Sequence, residues 1–374
     1  MDIYEKIKFC IEHRPEVPDE FKESTKLLDK WMLSKDKEGI HPEIFITSSN
    51  RTGGKTYYIA RLLVDLFTRF GSQFILLTRA GTQLGRVADG VLSAVMEEFE
   101  DYTFKETVVV NNVYSEISFR HKVVDEETGS EEEIEEIGGF VLSINASDKI
   151  KVFSSAFYDV EIMFMDEFQS ETYLSRECEK WYNIHMSVAR GHGKATRCVP
   201  VIMASNSLSI INPYYKFLGL QDKIQDDTKM FRGVGLCLLR FKNEEVANAQ
   251  KKSRFNIACG ESEMAKSNID NAWLLDSRSC VCKPDKSWGR NFYVCTLTCK
   301  DEVFAIRKYE NGIYYVNRSA DWTNNNIYAL SVDGVENIEC AKRTIPLNVL
   351  SREFLKGRVR FSDLSCKATM LEWI

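Results

Sequence analysis

The sequence predicts an α/β fold with a parallel-rich central sheet, and three stretches support this prediction. FITSSNRTGGKT (45–56) passes from a short apolar strand through a small polar turn into an amphipathic helix over 57–67. QFILLTR (73–79) is a second apolar strand, and VEIMFMDEF (160–168) is a third that ends in two carboxylates. Strand, helix and strand at this spacing favour parallel pairing through crossover helices.

Residues 49–56 have the composition of a phosphate-binding loop. Backbone amides can surround a triphosphate only where side chains are small, and the start of a helix adds a positive dipole end. Lys55 is expected to reach the β- and γ-phosphates, and the Thr56 hydroxyl to hold Mg²⁺. The usual GxxxxGK[ST] pattern has glycine at its first position, where this chain has serine, and a GKT triplet also occurs by chance. The predicted nucleotide-binding residues are Ser49, Asn50, Arg51, Thr52, Gly53, Gly54, Lys55 and Thr56.

The strand over 160–168 ends in Asp166 and Glu167. Ligands of open α/β sheets bind at the carboxyl ends of the strands, so the two carboxylates are expected beside the phosphates. Asp166 is predicted to order Mg²⁺ and Glu167 to polarise the attacking water. A strand can end in these two residues for no functional reason, but the position about 110 residues after the phosphate loop favours nucleotide hydrolysis.

Two later segments supply polar candidates. Asn206 ends the strand VPVIMASNS, where a side chain could contact the γ-phosphate or the water; capping of the next turn is the alternative. ARGHGKATRC (189–198) is a basic, glycine-containing loop with Arg190, Lys194 and Arg197. One arginine of this loop is a candidate finger for a neighbouring subunit's nucleotide, and Lys194 and Arg197 are candidate contacts with DNA or another subunit. Ordinary surface positions remain the alternative.

Composition limits the classes of function. With 374 residues, 44% hydrophobic and 28% charged, the chain suits a globular protein of more than one domain. A net charge of −6 argues against coating nucleic acid with the whole surface, so any DNA contact is expected in a pore or groove. No long apolar run or signal-peptide layout is present, so we expect no membrane partner and reduced cysteines. Cys280, Cys282, Cys295 and Cys299 match no common zinc spacing.

The chain is predicted to divide into three parts. An ATPase domain with a helical lead-in covers 1–244, a helical linker 245–275 and a small α+β domain 276–374. Residues 231–241 are predicted as one strand, and 346–374 as helical with a break at Gly357. Residues 125–136 include eight acids and are predicted as a solvated hairpin tip or loop, with docking of a basic partner as the alternative.

These motifs together closely resemble the double-stranded DNA packaging ATPase of short-tailed podoviruses of the Picovirinae type, relatives of the large terminase subunits. SNSLSIINPYYKFLGL is the most specific match, and SNRTGGKT, FMDEF, KKSRFNIACGESEM and FLKGRVRF extend it to the C-terminus. The resemblance implies a P-loop ATPase of the additional-strand, catalytic-glutamate type. Arg190 falls on the family's trans-acting arginine finger and Lys149 on a lysine implicated in coupling between subunits. The acidic insertion and Ser49 depart from the family pattern.

The resemblance also implies partners and a setting. We expect a homomeric, pentameric ring on the portal of an empty procapsid, driving double-stranded DNA inward with ATP and Mg²⁺ in the host cytoplasm. A packaging RNA is a further candidate partner. A component whose nucleotide site only locks an assembly is an alternative from another class. A regulatory GTPase is disfavoured because no NKxD-type guanine motif follows the phosphate loop.

The C-terminal domain raises the question of DNA cleavage. Full terminases carry an RNase H-like nuclease whose first strand supplies an aspartate for two-metal chemistry. The corresponding strand here, NFYVCTLTC, has no carboxylate, and Asp301, Asp321 and Asp333 are expected in turns and loops. The sequence therefore predicts an RNase H-like fold without the nuclease acids, with an active nuclease as the alternative.

Overall fold

The computed structural model describes residues 1–124, 131–170, 172–190, 197–221, 223–224, 228–259, 262–271, 280–299, 302–329, 339–340 and 345–371. The chain divides into two compact units. The first comprises Met1–Phe217 with Ile224–Leu274, and the second Leu218–Lys223 with Leu275–Ile374. The three domain ranges given above, including the linker over 245–275, stay a prediction.

The first unit is a mixed α/β structure. Its strands are β1 (Ile44–Ser49), β2 (Gln73–Thr78), β3 (Tyr102–Val110), β4 (Tyr114–Val124), β5 (Glu131–Ser143), β6 (Val160–Met165), β7 (Val201–Ser205), β8 (Met230–Arg232) and β9 (Leu236–Phe241). Its helices are α1 (Ile3–Glu12), α2 (Lys22–Met32), α3 (Lys55–Phe70), α4 (Val87–Met96), α5 (Ser147–Ile150), α6 (Glu177–Val188), α7 (Pro213–Phe217), α8 (Glu244–Lys251), α9 (Arg254–Cys259) and α10 (Glu263–Asp270).

These strands form one sheet in the order β3-β4-β5-β2-β6-β7-β1-β9-β8. The six from β5 to β9 pair in parallel, and the antiparallel strands lie at the two edges. The prediction of a parallel-rich central sheet is therefore confirmed. Strand β7 lies between β1, which enters the phosphate loop, and β6, which ends in the two acids. This inserted strand is the additional strand that the family resemblance implies.

A large core cluster of this unit lies between the sheet and α3, with buried residues of α1, α2 and α4 beside them. Ile59, Leu63 and Leu66 of α3 are completely buried against strand residues such as Phe45 and Phe164. Helix α3 is buried on most of its surface, including polar residues such as Arg61 and Asp65, which is typical of a helix enclosed by other elements. The buried helix fixes the phosphate loop at its amino end to the sheet.

Close packing requires a glycine where β5 passes α3. A Cβ atom on Gly138 would lie 2.4 Å from the Phe119 ring, which packs on Phe67 with ring centroids 4.6 Å apart. Any side chain at this position would therefore push the aromatic pair apart.

The second unit is a smaller α+β structure. Its strands are β10 (Asn291–Cys299), β11 (Glu302–Tyr309), β12 (Tyr314–Asn317), β13 (Ile327–Ala329), β14 (Glu339–Cys340) and β15 (Val359–Phe361), with helices α11 (Ile345–Leu355) and α12 (Leu364–Leu371). The sheet order is β14-β13-β10-β11-β12-β15. Strands β10, β11 and β12 are antiparallel neighbours, and β13 runs parallel to β10. The RNase H-like fold expected for this domain stays a prediction.

Two segment predictions were wrong in detail. Residues 231–241 form two antiparallel strands, β8 and β9, because the chain reverses at Gly235, whose φ of 69° suits glycine. The C-terminal segment is not helical throughout, since β15 lies between α11 and α12 and pairs with β12. Both errors come from short strands whose apolar residues do not show which neighbour they pair with.

Half of the acidic insertion lies within β5. Residues 131–136 pair with β4 in a long antiparallel ladder, and 125–130 lie outside the described residues. Cross-strand ion pairs join Arg120 to Glu135 and Lys122 to Glu131, each at 2.9 Å. These exposed pairs give β4 and β5 a charged extension beyond the core.

None of the described helices is both long and apolar enough to cross a membrane.

Candidate functional site

The phosphate loop joins β1 to α3 with an unusual backbone. Thr52 has φ 58° and Gly54 has φ 88°, so two residues adopt the left-handed conformation. A Cβ on Gly53 would come 2.4 Å from Ser49 Oγ, and one on Gly54 would come 3.0 Å from the Phe21 ring. Close packing therefore favours glycine at position 53 and the positive φ favours it at position 54, and the loop ends directly at the start of α3.

Lys55 points back into the loop. Its Nζ donates hydrogen bonds to Ser49 Oγ at 2.9 Å and to Asn206 Oδ1 at 3.3 Å. Only 6% of the residue is exposed. Burial lowers the pKa of Lys55 to about 8, although the nearby carboxylates of Glu167 and Asp166 oppose the shift. A cation buried in this way can give up its hydrogen bonds to the protein and bind the oxygen atoms of an anionic ligand instead.

Thr56 and Asp166 meet as candidate magnesium ligands. The Thr56 hydroxyl donates to Asp166 Oδ2 at 3.0 Å, and the amide of Glu167 donates to Asp166 Oδ1 at 3.0 Å. Burial raises the pKa of Asp166 above its usual value, so its negative charge lacks full compensation. A hydroxyl and a carboxylate are the oxygen donors that Mg²⁺ prefers, and a divalent cation would supply the missing charge. The residues present therefore fit this ion.

Glu167 lies at the mouth of the site. Its φ of 51° is left-handed, and its side chain reaches solvent. Partial desolvation raises the pKa of Glu167, and the charge of Asp166 raises it further, while Lys55 opposes the shift. A carboxylate with raised pKa, at the carboxyl end of a buried strand, suits a group that accepts a proton from water.

Asn206 is brought to the same place by β7. Its side-chain oxygen accepts from Lys55 at 3.3 Å, so it touches the phosphate loop. Gln169 supports the segment that follows, because its Oε1 accepts from the amides of Leu208 and Ser209 at 2.9 and 3.0 Å. The sequence did not single out Gln169, although its position two residues after Glu167 was a possible signal.

The basic candidates differ in their surroundings. Arg190 is exposed just after α6, and Lys149 is exposed on α5. The Arg197 guanidinium instead donates to the carbonyls of Val160, Phe157 and Val188 at 3.2, 3.2 and 2.7 Å. Arg197 thus stabilises the first unit from within, which favours Arg190 as the residue able to reach outward. Lys194 lies outside the described residues.

Helices α8 and α10 support the phosphate loop from the other side. Gln250 Nε2 donates to Thr52 Oγ1 at 2.6 Å, and the Arg51 amide donates to the carbonyl of Asn268 at 2.8 Å. The Asn243 amide donates to Asn50 Oδ1 at 2.8 Å. Sequence reasoning missed these contacts, because they join residues about 200 positions apart with no shared motif.

An open cleft of about 680 Å³ adjoins the two acids. The carboxyl ends of β2 and β6 form its floor, and the start of α4 forms one wall. Arg79, Arg86, Asp166 and Glu167 supply its charged groups. Sequence reasoning also missed Arg79, although its position directly after a predicted strand was a signal, since ligands gather at that edge of the sheet.

A phosphate loop, an additional strand and a strand-end pair of acids together define a P-loop nucleotide-binding protein of the additional-strand class. The family model of the podovirus DNA encapsidation protein (Gp16) matches residues 29–374. The chain therefore belongs to the podovirus DNA encapsidation protein family.

Individual relatives and solved structures agree with this assignment. The DNA packaging proteins of Bacillus phages PZA and phi29 are 25% and 24% identical over 320 residues, covering 83% of this chain and 86% of each relative. A chain of the bacteriophage Phi-29 viral genome packaging motor assembly superposes with a TM-score of 0.62 and 22% identity, covering 88% of this chain and 94% of that one. The Phi-28 gp11 DNA packaging motor gives 0.56 and 15%, covering 95% and 96%. At these identities the structures support the fold.

Proposed function

We propose that this chain is the ATP-hydrolysing motor of a phage packaging machine, and that it moves double-stranded DNA into a preformed procapsid as a pentameric ring on the portal. The observation that carries the proposal is the convergence of Lys55, Thr56, Asp166, Glu167 and Asn206 at the carboxyl ends of three parallel strands. A site that only locked an assembly would need the phosphate loop but not Glu167. Membership of the DNA encapsidation family supports DNA, a portal and a procapsid as partners.

Each residue of the site has a separate role in ATP binding or hydrolysis. The loop amides and the Lys55 ammonium bind and orient the phosphates, once Lys55 exchanges its bond to Ser49 for the ligand. Thr56 and Asp166 would hold Mg²⁺, which when bound neutralises charge on the phosphate oxygens. Glu167 accepts a proton from the attacking water, and Asn206 orients that water or the γ-phosphate. Hydrolysis therefore requires Glu167, whereas binding does not.

For residues outside the nucleotide site we propose contacts with a neighbouring subunit of the ring or with DNA. Arg190 is proposed to reach the nucleotide of the neighbouring subunit, where an arginine finger stabilises transition-state charge. Lys149, Lys194 and Arg197 stay candidate contacts with DNA or another subunit, and Arg197 is the weakest because its guanidinium is engaged by main-chain carbonyls. A packaging RNA stays a candidate partner.

We further propose that the second unit does not cut DNA. The sequence of β10, NFYVCTLTC, has no carboxylate, and two-metal cleavage requires acids that hold the ions. Asp321 hydrogen-bonds the Thr323 amide and hydroxyl at 3.0 and 2.6 Å within a turn. Nicking of supercoiled plasmid by the full chain with Mg²⁺ or Mn²⁺ would contradict this part of the proposal and favour an active terminase nuclease.

Three variants test hydrolysis directly. Lys55→Ala should lose tight ATP binding, whereas Glu167→Gln should bind ATP but turn over about 10²- to 10⁴-fold more slowly, because only the proton acceptor is removed. Glu161→Gln is the matched control, since Glu161 lies on β6, just before the turn that carries Glu167, and pairs with Lys6 at 2.6 Å. Phosphate release is measured with and without double-stranded DNA, beside equilibrium binding of a fluorescent ATP analogue.

The outcomes separate the candidate functions. DNA-stimulated turnover that Glu167→Gln abolishes supports a translocating motor. Wild-type turnover in Glu167→Gln would remove this residue as the base. ATP binding without turnover in the unaltered protein, alone and with DNA, would favour a nucleotide-locked structural component.

A further inference from the structure

Arg79 contacts the turn that carries Glu167. It follows β2 directly, and its guanidinium donates from one terminal nitrogen to the carbonyl of Glu167 at 2.6 Å and from the other to the carbonyl of Phe168. Its Nε donates to Glu177 Oε1 at 2.9 Å. All three nitrogens of the guanidinium therefore donate to acceptors within the protein.

The turn needs such support because of its backbone. Glu167 has φ 51°, a conformation that residues other than glycine, asparagine and aspartate rarely adopt. Strain of this kind persists only where the surrounding structure fixes it. The Arg79 guanidinium binds two consecutive carbonyls, those of Glu167 and Phe168, and thereby holds both peptide planes of the turn.

Arg79 is itself held in place. The Glu177 side chain is completely buried, and it accepts hydrogen bonds from the Tyr214 hydroxyl and the Leu174 amide, each at 2.8 Å. The ring of Tyr173 lies 5.6 Å from the Arg79 guanidinium carbon. A buried carboxylate with fixed hydrogen bonds and an aromatic face leaves the arginine little freedom.

We propose that Arg79 is a positioning residue for hydrolysis: it fixes the main chain of Glu167 and so the direction of the carboxylate that accepts the proton. It acts through the backbone and touches neither the phosphate loop nor Lys55. Loss of this contact should therefore lower kcat and leave the KM for ATP unchanged. The inference rests on the proposed function, because it assumes that Glu167 is the base.

Arg79→Lys is the informative variant. Lysine keeps the positive charge beside buried Glu177, so the fold should survive, but a single ammonium cannot span two carbonyls and a carboxylate as the planar guanidinium does. We expect kcat to fall about ten- to a hundredfold, the effect of a small displacement of a catalytic group, with KM within about twofold of the unaltered value. Arg176→Lys is the matched control, since the Arg176 side chain is exposed and pairs with Glu179 at the surface.

Glu177→Gln tests the same contact from the other side. It keeps the side-chain shape but removes the charge that holds Arg79, so kcat should fall in the same direction and KM should again stay unchanged. Melting temperature and ATP-analogue affinity are measured for each variant. Wild-type kcat in Arg79→Lys, or a parallel loss of affinity and melting temperature without a separate loss of kcat, would overturn the inference.

Glu167→Gln is the inactive reference that gives the background rate of the assay. If this variant hydrolyses ATP normally, the assigned base is wrong and the proposed function fails whatever Arg79 does. If it is inactive while Arg79→Lys keeps full turnover, only the role of Arg79 fails. The two failures are therefore distinct in one set of measurements.

Discussion

Lys55 holds a positive charge in an environment that disfavours it. Burial lowers its pKa to about 8, so the folded protein without nucleotide releases this proton more readily than the unfolded chain, where lysine titrates near 10.4. Its contribution to the free energy of unfolding therefore rises with pH between the two values. Phosphates stabilise the charged form, so nucleotide binding should raise the pKa again.

This linkage predicts proton uptake on binding. At pH 8.5 we expect the purified chain to take up part of a proton per ATP, and its affinity for ATP to fall as pH rises above about 8. Calorimetric titrations in two buffers of different ionisation enthalpy measure the uptake. Lys55→Arg keeps a permanent charge and should show none. Equal uptake in both proteins would place the titrating group elsewhere.

Residues whose role depends on local sequence were predictable. Lys55 and Thr56 follow from the loop pattern, and Asp166 and Glu167 from a strand that ends in two acids, and the structure brings all four together. The contribution of Arg79 depends on the direction of two carbonyls 88 and 89 residues away. No pattern of residue types encodes the direction of a carbonyl, so this contact required the structure.

At the scale of elements, the start of α8 supports the phosphate loop through Asn243. Its side-chain oxygen accepts from the Val246 amide at 3.1 Å, and its Nδ2 donates to Ser24 Oγ at 2.8 Å and to the carbonyl of Glu20 at 2.9 Å. Its main-chain amide and carbonyl hydrogen-bond the buried side-chain carboxamide of Asn50. One side chain thus caps a helix and ties the N-terminal lead-in to the site.

Asn243→Ala should destabilise the first unit by about 3 kcal/mol, because it removes a helix cap worth about 1 kcal/mol and leaves buried groups without partners. It should also weaken ATP binding, since the neighbouring Asn50 belongs to the phosphate loop. Urea unfolding, followed together with nucleotide affinity, measures both. Asn325→Ala, at an exposed turn position in the second unit, is the control. An unchanged unfolding midpoint in Asn243→Ala would refute the role of this cap.

Elements with strong patterns were predicted, and those that depend on pairing were not. Strands β1, β2 and β6 have continuous apolar runs and helix α3 has an amphipathic pattern, and these identify them without their neighbours. The three-residue strands β8 and β15 are too short to show a period, and only their pairing with β9 and β12 defines them. The acidic residues 131–136 extend β5 because β4 supplies a pairing partner with opposite charges.

At the scale of the whole molecule, the parallel-rich central sheet was the most useful prediction. Parallel units joined by crossovers place every strand end of the site on one edge of the sheet, and the structure has this arrangement from β5 to β9. The sequence could not predict which surfaces meet another copy of the chain, since these depend on shape as well as composition. The proposed ring is therefore tested through a residue that would act between copies.

Arg190 provides that test, because it is exposed beyond α6 while Arg197 is bound to main-chain carbonyls. Arg190→Ala should lose about 10³- to 10⁵-fold in turnover if the residue is an arginine finger. Glu167→Gln should also be inactive. In mixed rings, a Glu167→Gln subunit donates an intact arginine to the intact site of an Arg190→Ala neighbour, so mixing should restore phosphate release.

The matched mixture combines Lys55→Ala with Glu167→Gln. Both changes damage the subunit's own nucleotide site, so neither subunit can repair the other, and no activity should return. Native mass spectrometry of differently tagged subunits establishes whether mixed rings have formed. Recovery only in the Arg190→Ala mixture requires contact between copies. If mixed rings form and stay inactive, the arginine acts within its own subunit or the finger lies elsewhere, because a trans-acting group must complement a partner that retains every other catalytic residue.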